Sequence, residues 1–407
     1  MRRLLILIFA IMVASGCGQQ SVVDKAENPL AQKPPTFTVM PTAYRPVTPT
    51  PSPTPLPTAT PTFTPSATST PTATFTPLPT FTASPVSPLN TSLKKLAASN
   101  GIHVGSLIKI EDIRSDPNFE KRLLDQFDMV TINGFGRTYR APGVFDFSET
   151  DPEVNFANQN NLRIRAQPII YHVTTPRWIT DGDWSLRQAR DILKEYIHGI
   201  VGHYRGRVDV WIIANEIVDD DGNLRQNIWA ETLGPDYVAM AFRWAHEADP
   251  NAILLYNEYH LERPGQKADG VFRMVKKMVN DGVPIHGVGF QLHLELGSTP
   301  KLAVLQSQMQ RFSRLGLIVD VTELDVRLKS PFTEDRLGAQ ADAYATVMQA
   351  CLNVRNCKNF TMWGFADANS WIDRKFPGYG AAHIFDENYN PKPAYDALIK
   401  VLRQNKP

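Results

Sequence analysis

Short apolar runs rich in β-branched residues recur along the chain after residue 100, and several of them end on a polar residue. Runs of this length, separated by turn residues, are typical of strands covered on both faces, as in a parallel sheet. The clearest run is apolar from Val210 to Ala214. The eight predicted strands are 103–108, 129–133, 164–170, 208–215, 253–257, 287–293, 318–323 and 360–365.

Amphipathic segments with a helical spacing of apolar residues separate these strands, for example 186–204, 237–248 and 340–354. Strands that alternate with helices predict a parallel sheet with crossover helices. The expected fold class is therefore α/β, with residues 93–407 forming a single (β/α)8 TIM barrel. An open doubly wound sheet is the alternative. It is disfavoured because no glycine-rich phosphate loop follows the first strand.

The first 17 residues resemble a bacterial lipoprotein signal. Arg2 and Arg3 precede an apolar stretch, 4–13, that is too short to span a bilayer comfortably. Cys17 follows Ser15 and a glycine, and we expect it to be lipidated and to become the first residue of the mature chain. More than one acyl chain would give stable membrane attachment. The alternative is an ordinary secretory signal with an incidental cysteine.

Residues 18–92 are rich in Pro, Thr and Ser, and we predict that they form a disordered linker. Such a composition buries too little apolar surface to fold, and proline keeps the backbone extended. We interpret the segment as a semi-rigid spacer that holds the following domain away from a membrane. A ligand for proline-binding modules is the alternative.

Charge, cysteine content and missing motifs exclude several classes of function. The 407 residues carry a formal net charge of only +1, so nucleic acid is not an expected partner. Three cysteines are too few for a disulfide scaffold. The spacings His-Glu-x-x-His and Cys-x-x-Cys are absent, so no metal or other cofactor is expected. The absence of Gly-x-Ser-x-Gly argues against a serine hydrolase.

Polar residues stand at the ends of the predicted strands, notably Glu216 after the fourth and Glu323 in the seventh. Barrel strands end on one rim, where such folds place their chemistry, so these two carboxylates are expected to face each other. A facing carboxylate pair in a cleft is the minimum apparatus for glycoside hydrolysis. Trp363 and Trp371 offer flat faces for sugar rings. The alternative is that Glu216 merely caps the next helix.

Several motifs stand in a fixed order along the domain. They are Tyr204-Arg-Gly-Arg207 before the Asn215-Glu216 strand, Tyr256-Asn-Glu-Tyr-His-Leu-Glu262, Gly287-Val-Gly-Phe-Gln-Leu-His293, Val321-Thr-Glu-Leu-Asp325, Trp363-Gly-Phe-Ala-Asp-Ala-Asn-Ser-Trp371 and Phe385-Asp-Glu-Asn-Tyr-Asn-Pro-Lys-Pro-Ala-Tyr395. In sequence and order they resemble glycoside hydrolase family 10, the retaining endo-β-1,4-xylanases. The resemblance spans nearly the whole globular domain.

The resemblance implies a role for each matching residue. Glu323 would be the nucleophile that forms a glycosyl-enzyme, and Glu216 the acid and then the base. His293 would donate to Glu323, with Asp325 orienting His293. The expected substrate-binding residues are Asn133, Gln167, Tyr171, His172, Asn215, Gln291, His293, Trp363 and Trp371.

Some of these side chains have plainer alternatives. Asp325 could be a structural rim residue, Trp371 a core aromatic and His293 a hydrogen-bonded core histidine. The resemblance also implies a disulfide between Cys351 and Cys357, with two free buried thiols as the alternative.

The N-terminal half departs from the family pattern. Where the family usually shows Glu-Asn and then Met-Lys-Trp, this chain has Ile132-Asn-Gly-Phe-Gly-Arg137. Gln167 stands where His is usual, Tyr171 where Trp is usual and Thr174 where Gln is usual. Those family residues hold the glycone sugars, so the specificity is expected to shift.

The leading hypothesis is an endo-1,4-β-xylanase that cleaves internal bonds of xylan by double displacement. The alternatives are a surface lipoprotein that binds xylan or oligosaccharides with weak or no hydrolysis, and a related barrel glycosidase acting on another β-glycan. The expected partners are the polysaccharide and, through the lipid anchor, a membrane. We expect a monomer on the extracellular face of the cell membrane, or a secreted protein if the anchor is absent.

Overall fold

The computed structural model describes residues 89–405. The expected signal, the expected lipid on Cys17 and almost all of the expected linker lie outside the described residues and stay predictions.

Eight parallel strands close into a barrel, as the sequence pattern predicts. The strands in the described residues are β1 (His103–Leu107), β2 (Met129–Asn133), β3 (Tyr139–Ala141), β4 (Val144–Phe145), β5 (Arg163–Gln167), β6 (Val210–Asn215), β7 (Ile253–Glu258), β8 (Gly287–Phe290), β9 (His293–Glu295), β10 (Ile318–Lys329), β11 (Asn359–Met362) and β12 (Tyr379–Gly380). Around the barrel the order is β1, β2, β5, β6, β7, β8, β10 and β11, which pairs again with β1. The remaining strands form short pairs at the rim: β3 with β4, and β9 and β12 with β10.

Helices connect the barrel strands. They are α1 (Leu93–Ser99), α2 (Ile110–Ser115), α3 (Pro117–Gln126), α4 (Asp151–Gln159), α5 (Arg177–Thr180), α6 (Leu186–His203), α7 (Ile228–Leu233), α8 (Tyr237–Ala248), α9 (Gln266–Asn280), α10 (Leu302–Ser313), α11 (Glu334–Leu352), α12 (Ile372–Lys375) and α13 (Pro393–Gln404), with 3-10 turns at Phe135–Arg137 and Asp367–Asn369. The predicted helices 186–204 and 237–248 are confirmed, and the third begins earlier than predicted, at Glu334. Within residues 89–405, none of the helices has the length and apolar character needed to cross a bilayer.

The strand β6 shows how alternation builds two apolar layers. Trp211 and Ile213 belong to the large core between the strands and the helices, whereas Val210 and Ile212 belong to a small cluster inside the barrel. Successive side chains of a strand point to opposite faces, so a fully apolar strand is needed where both faces are covered. The sequence pattern of this strand therefore follows from its central position.

The inside of the barrel also contains a buried ion pair. The Nη2 atom of Arg165 lies 2.8 Å from Oδ2 of Asp320, and neither side chain is exposed to solvent. Thr361 accepts a further hydrogen bond from Arg165, and the backbone N–H of Asn359 donates to Asp320 at 3.1 Å. The pair links β5, β10 and β11 across the barrel, below the rim that carries the candidate site.

A disulfide joins Cys351, near the end of α11, to Cys357, with Cα atoms 5.3 Å apart. It closes a short loop just before β11 and so fixes the helix end against the strand that follows.

Candidate active site

Two β-bulges aim the side chains at the mouth of the barrel. In β6 the pairing shifts between Ile212 and Ala214, so that Ala214 joins the outer core and Asn215 faces the mouth. In β10 a similar shift lies between Val321 and Leu324. A bulge inserts one unpaired residue and reverses the alternation beyond it, which is how strands near active sites re-aim a side chain.

Glu323 lies in the β10 bulge and accepts three hydrogen bonds. Gln167 Nε2 donates to its Oε1 at 2.9 Å, Asn257 Nδ2 donates to the same oxygen at 2.6 Å, and His293 Nε2 lies 3.1 Å from Oε2. The residue is only 5% exposed. Three donors around this buried carboxylate orient it and offer hydrogen bonds to a negative charge.

His293 is held as a cation between two carboxylates. Its Nδ1 lies 2.8 Å from Oδ2 of Asp325, which also accepts the Trp371 indole N–H at 2.8 Å. Burial acts to lower the pKa of His293, but the charges and hydrogen bonds of Asp325 and Glu323 outweigh burial and raise it to about 10. With both ring nitrogens protonated, His293 can donate to Asp325 and to Glu323 at once, which is the arrangement that the family resemblance implies. Trp371 belongs to the site through this bond.

Glu216 follows β6 in a left-handed backbone conformation, with φ of 53°. This conformation is costly for a residue with a side chain and persists only where the surroundings hold it. The Glu216 N–H donates to the Asn257 carbonyl at 3.1 Å, and Arg225 Nε donates to the Glu216 carbonyl at 3.0 Å. Gln291 Nε2 donates to its carboxylate at 3.1 Å, and the Tyr171 hydroxyl is a further donor.

A chain of side-chain amides joins the two carboxylates. Asn215 Nδ2 lies 3.3 Å from Glu216 Oε1, and its own Oδ1 accepts from Asn257 Nδ2 at 2.8 Å. Asn257 in turn donates to Glu323 and accepts from the Thr322 hydroxyl at 2.7 Å. No role was predicted for Asn257, which lies at the end of β7 in register with Asn215.

A second buried carboxylate stands behind Glu216. Glu258, which is 0% exposed, lies 3.2 Å from Lys267 Nζ and accepts the Tyr256 hydroxyl at 2.5 Å. Burial raises the pKa of Glu258 to about 7, with Lys267 and Tyr256 acting against burial and the charge of Glu216 acting with it. Lys267 also pairs with Asp220 at 3.2 Å. These groups support the loops that follow β6 and β7.

The other expected binding residues lie around this centre. Asn133 is exposed at the end of β2, and Tyr171 and His172 are half-buried and in edge contact, with ring centroids 4.9 Å apart. The Trp363 ring lies 6.1 Å from that of His293 and is half-buried. Aromatic and amide groups therefore border the carboxylate pair on several sides.

Between residues 89 and 405, no three His, Cys, Asp or Glu side chains come together in an arrangement that could hold a metal ion. The chemistry of the described site is that of two carboxylates, of which Glu323 is held by fixed donors and Glu216 is half-buried at the rim. Such a pair can attack a carbon centre and transfer a proton to a leaving oxygen.

Comparison with known proteins gives consistent results at the levels of family, sequence and structure. The family model "Glycosyl hydrolase family 10" matches residues 92–401. Endo-1,4-beta-xylanase 1 of Humicola insolens is 36% identical over 323 residues, covering 78% of this chain and 75% of that protein. Endo-1,4-beta-xylanase B of Thermotoga neapolitana is 37% identical over 261 residues, covering 64% of this chain and 75% of that protein.

Among solved structures, xylanase 10B from Thermotoga petrophila in complex with xylobiose aligns with a TM-score of 0.75 and 34% identity. The alignment covers 79% of this chain and 100% of that chain. The similarity therefore extends over the whole barrel and includes both strands that carry the candidate carboxylates.

Proposed function

The chain belongs to glycosyl hydrolase family 10, and from that premise we propose that it cleaves internal β-1,4 bonds of xylan with retention of the anomeric configuration. It is a glycoside hydrolase of the endo-1,4-β-xylanase type. The proposal assigns the chemistry to Glu323 as nucleophile and Glu216 as acid and base.

This assignment rests on a difference between the hydrogen-bond donors and the exposure of the two carboxylates. Glu323 receives three donors, one of them the His293 cation, so it is prepared to act as an anion. Glu216 receives neutral amide and hydroxyl donors and is half-buried at the rim, where a leaving group and then a water molecule can reach it. An ionised nucleophile and a proton-carrying acid are the two states that the first step requires.

In the first step, an oxygen of Glu323 forms a bond to the anomeric carbon while the bond from that carbon to the leaving oxygen breaks. Glu216 transfers its proton to the leaving oxygen. In the second step, Glu216 accepts a proton from water as the water oxygen attacks the anomeric carbon, and the ester bond to Glu323 breaks. Both carboxyl groups return to their initial protonation states.

The amide chain suits the stabilisation of the transition state. Asn215 Oδ1 is occupied by Asn257 and Gln291, which leaves its Nδ2, in only a long contact with Glu216, able to donate to a sugar hydroxyl. A hydrogen bond to the 2-hydroxyl that strengthens in the transition state contributes to catalysis in such enzymes. Trp363 and Tyr171 offer rings beside the reacting sugar.

Release of reducing sugar from glucuronoxylan and arabinoxylan tests the proposal, with Glu216→Ala and Glu323→Ala as controls. We expect release by the natural chain and a fall of at least about 10³-fold in either variant, because each step needs both groups. No release from these xylans, from mixed-linkage glucan or from aryl xylosides would leave the chain a binding protein and contradict the proposal.

We further propose that the enzyme is held on the outer side of the cell membrane by lipid on Cys17. The support is the sequence pattern of residues 1–17 and the proline-rich segment after it. Partition of the full chain into a detergent phase, lost in Cys17→Ser and kept in Ser21→Ala, is the expected result. Equal partition of the natural chain and Cys17→Ser would argue for simple secretion.

A further inference from the structure

A cavity of about 530 Å³ opens beside the site, where the segments after β2 and β5 meet. Three of the residues that line it are arginines: Arg137, Arg140 and Arg177. The strands that lead into it end side by side, since Asn133 of β2 pairs in register with Gln167 of β5, which donates to Glu323. The cavity is therefore on the same rim as the carboxylate pair.

One loop connects the candidate acid to the cavity. The loop after β5 places the Tyr171 hydroxyl against Glu216 and then lines the cavity from Val173 to Trp178. The segment after β2 packs directly against this loop, because a Cβ on Gly136 would come within 2.7 Å of Thr174 Oγ1. The loop thus runs from the candidate acid to the cavity, which places the cavity where a side group of a bound glycan would lie.

The arginines of the cavity are available to a ligand. Arg137 pairs with Glu149 at 3.5 Å and Arg140 with Asp146 at 3.1 Å, and all four side chains are 41–60% exposed. Exposed pairs of this kind contribute little to stability, so a ligand anion can replace them. Arg177 is exposed and makes no side-chain hydrogen bond or ion pair with any residue from 89 to 405.

We propose that this cavity is a subsite for a uronic acid group carried by the glycan chain, with its carboxylate bound by Arg177 together with Arg137 or Arg140. The planar guanidinium presents paired N–H donors that match a carboxylate. Val173, which is 65% exposed, and Trp178 supply the apolar wall that a sugar ring or a methyl group needs. The inference rests on the proposed function, because it takes the occupant to be part of the substrate.

The cavity also fits the departure of this segment from the family pattern. No lysine stands between Asn133 and Arg137, and the charged side chain that follows in this segment is Arg137 itself. An acidic side group would bring its own charge to a surface with an excess of guanidinium groups. A glycan without a charged side group would gain little binding affinity from these arginines.

The test compares kcat/KM for a glucuronic-acid-substituted xylo-oligosaccharide with that for the unsubstituted chain of equal length. We expect Arg177→Gln to lower the ratio of the two values by about 10-fold, the effect of losing one charge-assisted hydrogen bond. High salt should reduce the ratio for the natural chain as well. The control is Arg187→Gln, in α6, where the side chain is 92% exposed and does not line the cavity, and it should leave the ratio unchanged.

A second readout does not depend on turnover. Binding of the same two oligosaccharides to Glu323→Gln, measured by calorimetry with and without Arg177→Gln, should give the same change in ratio. An unchanged ratio in both measurements would overturn the subsite. Failure of the proposed function would look different: the natural chain would then cleave neither oligosaccharide, while the binding ratio would still decide the subsite. If Arg177→Gln does not fold, Arg140→Gln replaces it in both measurements.

Discussion

At the scale of single residues, Glu323 is held in place by fixed side-chain donors. Asn257 is central among them, because its one NH2 group donates to both Glu323 and Asn215 while its oxygen accepts from Thr322. Its donors and acceptor are thus all engaged by partners within the site. Preorganised donors of this kind account for a large part of the catalytic effect in many enzymes.

Changing Asn257 to Asp is therefore expected to damage catalysis severely. The substitution replaces a donor, 2.6 Å from Glu323, with an oxygen that repels the nucleophile. We expect kcat/KM on xylan oligosaccharides to fall by about 10²–10³-fold, the size seen when one preorganised donor is lost. Asn388→Asp, at an exposed position, is the matched control and should change the value by less than about 2-fold. A well-folded Asn257→Asp variant with near-natural activity would disprove the role.

The two carboxylates and His293 were predictable because they follow apolar strands, and strand ends meet on one rim. The role of Asn257 was not predictable, because nothing in its own segment distinguishes an active-site amide from an amide in a turn. The charge of His293 was also hidden, because it depends on Asp325 lying opposite it in the β9–β10 register. The role of Asn257 and the charge of His293 both depend on contacts between strands that are far apart in the sequence.

At the scale of elements, the strands were predictable and their irregularities were not. The predicted strand 287–293 is divided into β8 and β9, with Leu292 between them at φ of 61°. The predicted strand 318–323 continues to Lys329, because β9 and β12 pair with its second half. Bulges and left-handed residues are imposed by tertiary contacts, so the hydrophobic pattern alone does not reveal them.

The strand β5 allows a direct test of the ion pair inside the barrel. Arg165→Met leaves Asp320 buried and without its cation, and we expect the free energy of unfolding to fall by about 3–5 kcal/mol. Arg163→Met is the matched control on the same strand: its pair with Asp209 is 34% and 36% exposed and should contribute less than about 1 kcal/mol. Denaturant unfolding measures both. Equal losses in the two variants would contradict the interpretation.

At the scale of the whole molecule, three buried acids make stability depend on pH. Burial raises the pKa of Glu153 to about 8, that of Glu258 to about 7 and that of Asp367 to about 6, each against a nearby donor or cation. In the unfolded chain such groups titrate near pH 4. The folded state therefore retains these protons to higher pH, so the stability they provide is fully present below about pH 4 and is lost as the pH rises from there to the folded pKa values of about 6 to 8.

The variant Glu153→Gln isolates the contribution of Glu153 to the pH dependence of stability. The variant keeps an oxygen for the Ile110 N–H, which donates to Glu153 at 3.1 Å, and it never acquires a charge. We expect its thermal midpoint to match that of the natural protein at pH 4, to exceed it increasingly from pH 5 to pH 8, and to keep a constant excess above pH 8. Glu231→Gln, at an exposed position, should show no such trend. A midpoint difference that is constant with pH would refute the account.

The central claim is that Glu323 forms a covalent bond to the sugar. The most direct measurement treats the protein with a 2-deoxy-2-fluoro-β-xylobioside bearing a good leaving group and locates the trapped sugar by peptide mass mapping, since slowed hydrolysis lets the glycosyl-enzyme accumulate. We predict one glycosyl group per chain, attached at Glu323, and none in Glu323→Ala. A sugar attached to another residue, or normal turnover of xylan by a protein that is never labelled, would contradict the account.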